Sequence, residues 1–115
     1  MSKRRRSAVA ARASLFAALG DETRLALLAR LARGRSCSIA QLTQGTDLTR
    51  QAVTKHLRVL QRVRIVHARR EGRESLFEID PAPVRELTAY LETVSRQWET
   101  ALSRLKSFVE SQSPK

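Results

Sequence analysis

Thr49, Arg50, Gln51, Thr54, Lys55 and Arg58 carry hydrogen-bond donors and share one side of a helical repeat. Behind them Leu48, Ala52, Val53, Leu57 and Leu60 recur at the spacing of an apolar helix face. Arginine and lysine can donate to guanine O6 and N7, glutamine can pair with adenine N6 and N7, and phosphates accept from all three. From Thr46 to Arg70 the single acidic residue is Asp47, placed in the turn before this helix. Solvated helix faces ordinarily mix both signs, so a face of donors alone implies an acceptor-rich partner such as double-stranded DNA. Residues near the N-terminus of the helix are expected to reach base edges, and Arg58 to meet phosphate. A second group of donors, Arg69, Arg70 and Arg73, surrounds Gly72. Arginines on a hairpin tip can enter a minor groove or hold phosphates flanking a site.

Other chemistries find little support. The chain has no Ser–His–Asp or Cys–His–Asn grouping, no carboxylate pair in an apolar setting and no glycine-rich phosphate loop, so neither an enzyme nor a cofactor is expected. His56 lies between the two faces of its helix and reads as a packed, hydrogen-bonded side chain. Cys37 falls in the polar stretch GRSCS beside Arg35. As the lone cysteine it excludes an internal disulfide and fits a reducing, cytoplasmic setting. The 115 residues carry 22 Lys and Arg against 11 Asp and Glu, a net charge of +11 that favours a polyanionic partner. No stretch approaches the ~20 uninterrupted apolar residues of a membrane span. The opening KRRR followed by SAVAARASLFAALG imitates a signal peptide, but Arg12 interrupts its apolar part.

The elements that must hold these donors can be placed in order. Residues 1–7 are expected to be a disordered basic tail, and a domain is expected over 8–110. Val9, Ala13, Phe16, Ala17 and Leu19 mark an amphipathic helix that stops at Gly20. Asp21 caps a second helix, in which Leu25, Leu28 and Leu31 follow at helical spacing until Gly34. Ser38 caps a third, over 39–44, and Gly45 turns the chain into the fourth, over 49–62. The period then changes to that of a hairpin, over 65–79, with a charged tip at REGRES. Asp80-Pro81 starts the last helix, over 81–110. There Val84, Leu87, Leu91, Val94, Trp98, Ala101, Leu105 and Phe108 alternate spacings of 3 and 4 without a break. Such a seam, on a helix roughly 42 Å long, wants a partner helix. The spacing predicts a homodimer with Phe16, Leu87, Leu91, Val94, Trp98 and Leu105 at its interface.

Five helices and one hairpin in this order make a mainly α winged helix-turn-helix with a C-terminal dimerisation helix. Three segments, LGDETRLALLARLARG (19–34), LTRQAVTKHLRVLQRVRIVHARREGRESLFEID (48–80) and the closing Trp98-bearing helix, resemble the ArsR family of bacterial repressors. The resemblance implies a homodimeric transcriptional repressor, with the first and fifth helices at the dimer interface and the fourth in the major groove. Many members of that family sense metals through a Cys-x-Cys motif at the third helix, or through Asp, His and Glu ligands on the fifth. Here the third helix reads SIAQLTQG, and the fifth contains neither histidine nor cysteine, so metal sensing at those places is not expected. The family's small residue and glycine before the first wing strand are replaced by Val63-Arg64. Arg64 must then adopt a costlier left-handed conformation or end the helix differently. The inducing signal, including any small-molecule effector, is unknown from sequence. The alternative reading is a non-specific basic packaging protein, which would protect no inverted repeat.

Overall fold

A computed structural model describes residues 2–34 and 36–112. It contains α1 (Lys3–Leu19), α2 (Glu22–Arg33), β1 (Cys37–Ser38), α3 (Ile39–Thr43), α4 (Arg50–Arg62), β2 (Val66–Glu71), β3 (Glu74–Ile79) and α5 (Pro81–Gln112). The chain divides into two compact units, one ending at Pro83 and the other beginning at Val84 within α5.

The core of the first unit is aliphatic apart from one ring. Leu27 and Leu31 of α2, Leu42 of α3, Val53, Leu57 and Leu60 of α4, Ile65, and Val66 of β2 close on Phe77 of β3 and Ala18 of α1. In α4 the buried residues fall at positions 53, 57 and 60, so one face is sealed and the opposite one stays in solvent. Three antiparallel strands lie in the order β1–β3–β2. Val66 and Phe77, which point into the core, fix the hairpin register, with Val66 opposite Ile79 and Ala68 opposite Phe77. At the tip only Gly72 and Arg73 remain between the strands, and Gly72 takes a φ of 63° that suits a residue without Cβ.

Four expectations need correction. Residues 3–7 are not a disordered tail but the first turns of α1, where the Ser2 hydroxyl accepts from the backbone N–H of Arg5 at 3.2 Å. Lysine and arginine are good helix formers, so a cap suffices to extend the helix through them. In α2 the buried stripe runs through Leu27 and Leu31, leaving Leu25 exposed. The stretch around Cys37 is a short strand rather than a polar loop: Cys37 and Ser38 pair with Phe77 and Leu76, and Cys37 packs against the core. That pairing covers the free edge of β3, a task with no periodic signature in two residues. Finally, most of the expected apolar stripe of α1 does not face the core: Val9 remains exposed, and the one buried residue of the helix is Ala18, outside that stripe.

The junction between α4 and β2 takes the left-handed form. Arg64 has a φ of 65°, the one positive φ outside glycine among the described residues. Its backbone N–H donates to Gln61 O at 2.9 Å, and that of Ile65 donates to Leu60 O at 3.1 Å, closing a Schellman cap whose flanking residues Leu60 and Ile65 are both buried. The cap satisfies the last carbonyls of α4, but it places a residue with a Cβ where the left-handed region costs roughly 1–2 kcal/mol.

Candidate nucleic-acid interface

Three local devices set the attitude of α4. Its N-terminus is capped by Thr49, whose Oγ1 accepts from the backbone N–H of Ala52 at 3.0 Å. The turn before it is locked by Gly45 (φ 78°) and by the Thr46 hydroxyl, which donates to Thr43 O at 2.6 Å and accepts from Leu48 N–H at 3.2 Å. Upstream, α3 starts from a capping box: Ser38 Oγ accepts from Gln41 N–H, and Gln41 Oε1 accepts from Ser38 N–H at 2.8 Å.

Two arginines of α2 complete the frame, and neither is foreshadowed by spacing or by a motif. Arg30 donates from Nη1 to Leu42 O at 2.7 Å and from Nη2 to Gln41 O at 3.0 Å, tying α2 to the end of α3. Arg24 donates from Nε to Ala18 O at 2.7 Å and from Nη2 to Ala17 O at 3.3 Å, closing the end of α1. Its Nη1 also lies 3.3 Å from His56 Nδ1 on α4; since arginine only donates, that ring nitrogen accepts. His56 is therefore held from behind, as its position between the faces implied. Beside it, Asp21 caps α2 by accepting from Arg24 N–H at 3.0 Å, and that bond, aided by the nearby Arg24 charge, lowers its carboxyl pKa. Replacing Arg30 with alanine is expected to destabilise the first unit by about 1–3 kcal/mol, because the carbonyl of Leu42, whose bond to Arg30 is partly buried, loses its donor. Urea unfolding checks this; an unchanged midpoint would show that solvent replaces the guanidinium without cost.

On the outer face Arg50, Gln51, Thr54, Lys55 and Arg58 line one open depression. The side chains of Arg50, Gln51, Lys55 and Arg58 make no hydrogen bond or ion pair with other described residues, so their donors are available. The two threonines are more committed than sequence implied. Thr49 uses its oxygen in the cap, and Thr54 donates its hydroxyl proton to Arg50 O at 2.7 Å. Thr54 can still accept a bond or offer its methyl to thymine.

The hairpin also differs from expectation. Arg69 is not a free donor: its Nε binds Glu78 and its Nη1 binds Glu71 at 2.9 Å, contacts that raise its pKa. The two carboxylates neutralise it, and the Glu78 contact braces β2 against β3. Arg70 and Arg73 are exposed and without a partner among the described residues. Among the described residues no three or more His, Cys, Asp and Glu side chains lie together so as to share a metal ion. No helix of the described residues is long and apolar enough to cross a membrane.

A helix-turn-helix domain model matches residues 19–69, from the end of α1 into β2. The chain is 33% identical over 95 residues to the HTH-type transcriptional regulator Rv2034 of Mycobacterium tuberculosis, a match covering 83% of this chain and 85% of that one. An ArsR-like transcriptional regulator from Rhodococcus sp. RHA1 superposes with a TM-score of 0.79 at 33% identity, covering 89% of this chain and 95% of the other. The chain belongs to the ArsR-family winged helix-turn-helix transcriptional regulators. The matched helix-turn-helix segment contains α2, α3 and α4 and runs into the wing hairpin β2–β3, so this is a DNA-binding transcriptional regulator. A second ArsR-type structure, the homodimeric winged helix-turn-helix DNA-binding domain Mb0332 from Mycobacterium bovis, a possible ArsR-family regulator, has a TM-score of 0.68 at 26% identity, covering 84% of this chain and 89% of that domain.

Among the residues expected at a dimer interface, Phe16, Leu91, Trp98 and Leu105 are exposed, Val94 is half-buried, and Leu87 is buried within the single chain at 5%. Leu102, Phe108 and Val109 extend the exposed stripe of α5 toward its C-terminus.

Proposed function

We propose that this protein is a homodimeric, sequence-specific repressor that binds an inverted-repeat operator and occludes the promoter. The observation that carries this reading is the unpartnered donor set Arg50, Gln51, Lys55 and Arg58 on one face of a helix whose other face is sealed. In it, α4 enters the major groove with Arg50, Gln51 and Lys55 toward base edges, while Arg58 and the Thr49 hydroxyl hold phosphate. Arg70 and Arg73 carry the wing contact, and Arg69 keeps the hairpin rigid. Pairing through α1 and α5, supported by exposed Phe16, Leu91, Trp98 and Leu105, sets two copies of α4 one helical turn apart. Repression is what the resemblance to ArsR regulators implies. Sensing by a metal at α3 or α5 does not fit, since Ile39–Thr43 lacks cysteine and Pro81–Gln112 lacks both histidine and cysteine.

Base readers and phosphate holders separate by experiment. Gln51→Ala or Lys55→Ala is expected to cost about 1–3 kcal/mol on the preferred operator and to relax preference at one half-site position. Arg58→Ala is expected to weaken all duplexes alike. Competition binding across operator variants distinguishes them, and uniform losses for Gln51 and Lys55 would remove their base-reading role.

A further inference from the structure

The α4–β2 junction holds an unexplained expense. Arg64 occupies the left-handed C′ position of the cap, a place that glycine fills without strain and asparagine with little. Its side chain gives the domain nothing visible in return: it is exposed and makes no hydrogen bond or ion pair with any described residue. The last turn of α4 already has Arg62 to complement the helix dipole. Conformational strain at an unpartnered charged residue points to a contact outside the chain. The candidate partner follows from position. One residue separates Arg64 from each of the elements read above as DNA-contacting: α4 ends at Arg62 and β2 begins at Val66. In the complex proposed above, a guanidinium at this junction would meet the strand that runs between the two grooves, where a phosphate is the group on offer.

We propose that Arg64 is a phosphate-binding residue that anchors the helix–wing junction to the DNA backbone, its charge retained at the expense of the glycine that the cap prefers. The proposal rests on α4 and the wing both meeting DNA. It makes stability and affinity move in opposite directions, which a merely structural arginine would not do. Arg64→Gly and Arg64→Asn are expected to unfold at equal or higher temperature than the parent. Both should bind DNA more weakly, about eightfold per protomer at 0.1 M salt relative to a 1 M reference, since one phosphate contact contributes a slope of about −0.9 in log K against log salt. The loss should be the same on the operator and on unrelated duplexes, and Arg64→Lys should restore most of it.

The experiment is a salt titration of binding for the full chain and these three variants, on a selected operator and on a random-sequence duplex, with thermal unfolding alongside. Equal or raised stability, weaker binding on both duplexes and a slope shallower by about 0.9 per protomer would support the assignment. Unchanged affinity and slope, or weaker binding with a parallel loss of stability, would overturn it. Because phosphate contact does not depend on sequence, the random duplex still tests Arg64 if no operator is found. That outcome would overturn the sequence-specific reading while leaving this one standing. A parent chain that binds neither duplex overturns both.

Discussion

Raising salt from 50 to 200 mM is expected to weaken operator binding on the order of 10⁴-fold. Each protomer is assigned about four cationic phosphate contacts in the proposed complex, through Arg58, Arg64, Arg70 and Arg73. Eight contacts in a dimer give a slope near −7 in log K against log salt, and a fourfold rise in salt then costs 4⁷. The size of the effect comes from release of condensed counterions and not from the net charge of +11 as such. Arginines already neutralised within the protein, as Arg69 is by Glu71 and Glu78, add little to it. Removing Arg69 should accordingly change the slope less than removing Arg70 or Arg73. Filter binding or fluorescence anisotropy over a salt series measures the slope, and a value shallower than about −2 would contradict the contact set.

Leu91→Glu or Trp98→Glu is expected to break the dimer and with it operator binding, while leaving the first unit folded. Both side chains are substantially exposed in the single chain, at 49% and 69%, so neither substitution removes core packing. In a two-fold interface each residue appears twice. Losing roughly 2 kcal/mol of leucine burial at both copies amounts to about 4 kcal/mol, close to 10³-fold in the dimer dissociation constant, before any cost of burying carboxylates. A monomer would engage one half-site and forfeit the contacts of the other. Sedimentation velocity reads the assembly directly. An unchanged dimer would place the interface away from α5, whereas Leu87→Glu, at a buried position, should instead lower the stability of the chain.

Much of this architecture is legible from residue types because its elements carry regular periods. The sealed face of α4, the cap at Asp21, the turn at Gly45 and the start of α5 at Asp80, which accepts from Ala82 N–H at 3.0 Å, are all local signals. The parts that escaped depend on distant partners. Arg24 and Arg30 act by reaching the carbonyl ends of other helices, and no spacing along the chain announces that. Strand β1 exists because β3 needs an edge partner, and two residues cannot display an alternating pattern. The commitment of Arg69 to Glu78 is a cross-strand event, visible only once the register is known. Even Thr54, on the outward face of α4, directs its hydroxyl proton to Arg50 O within the helix. Arg64 is the opposite case: an arginine where the chain must leave a helix implied either a strained exit or a different helix end, and the φ of 65° is the strained exit.

The central claim is that two copies of α4 read a symmetric site. Selection of bound duplexes from random DNA, followed by footprinting of the enriched sequences with the full chain, tests it most directly. The expected result is an inverted repeat whose half-site centres lie ~34 Å apart along the duplex, each protected in the major groove. Enrichment of no common sequence, with protection spreading evenly along the DNA, would contradict the account and leave a basic protein that binds DNA without reading it.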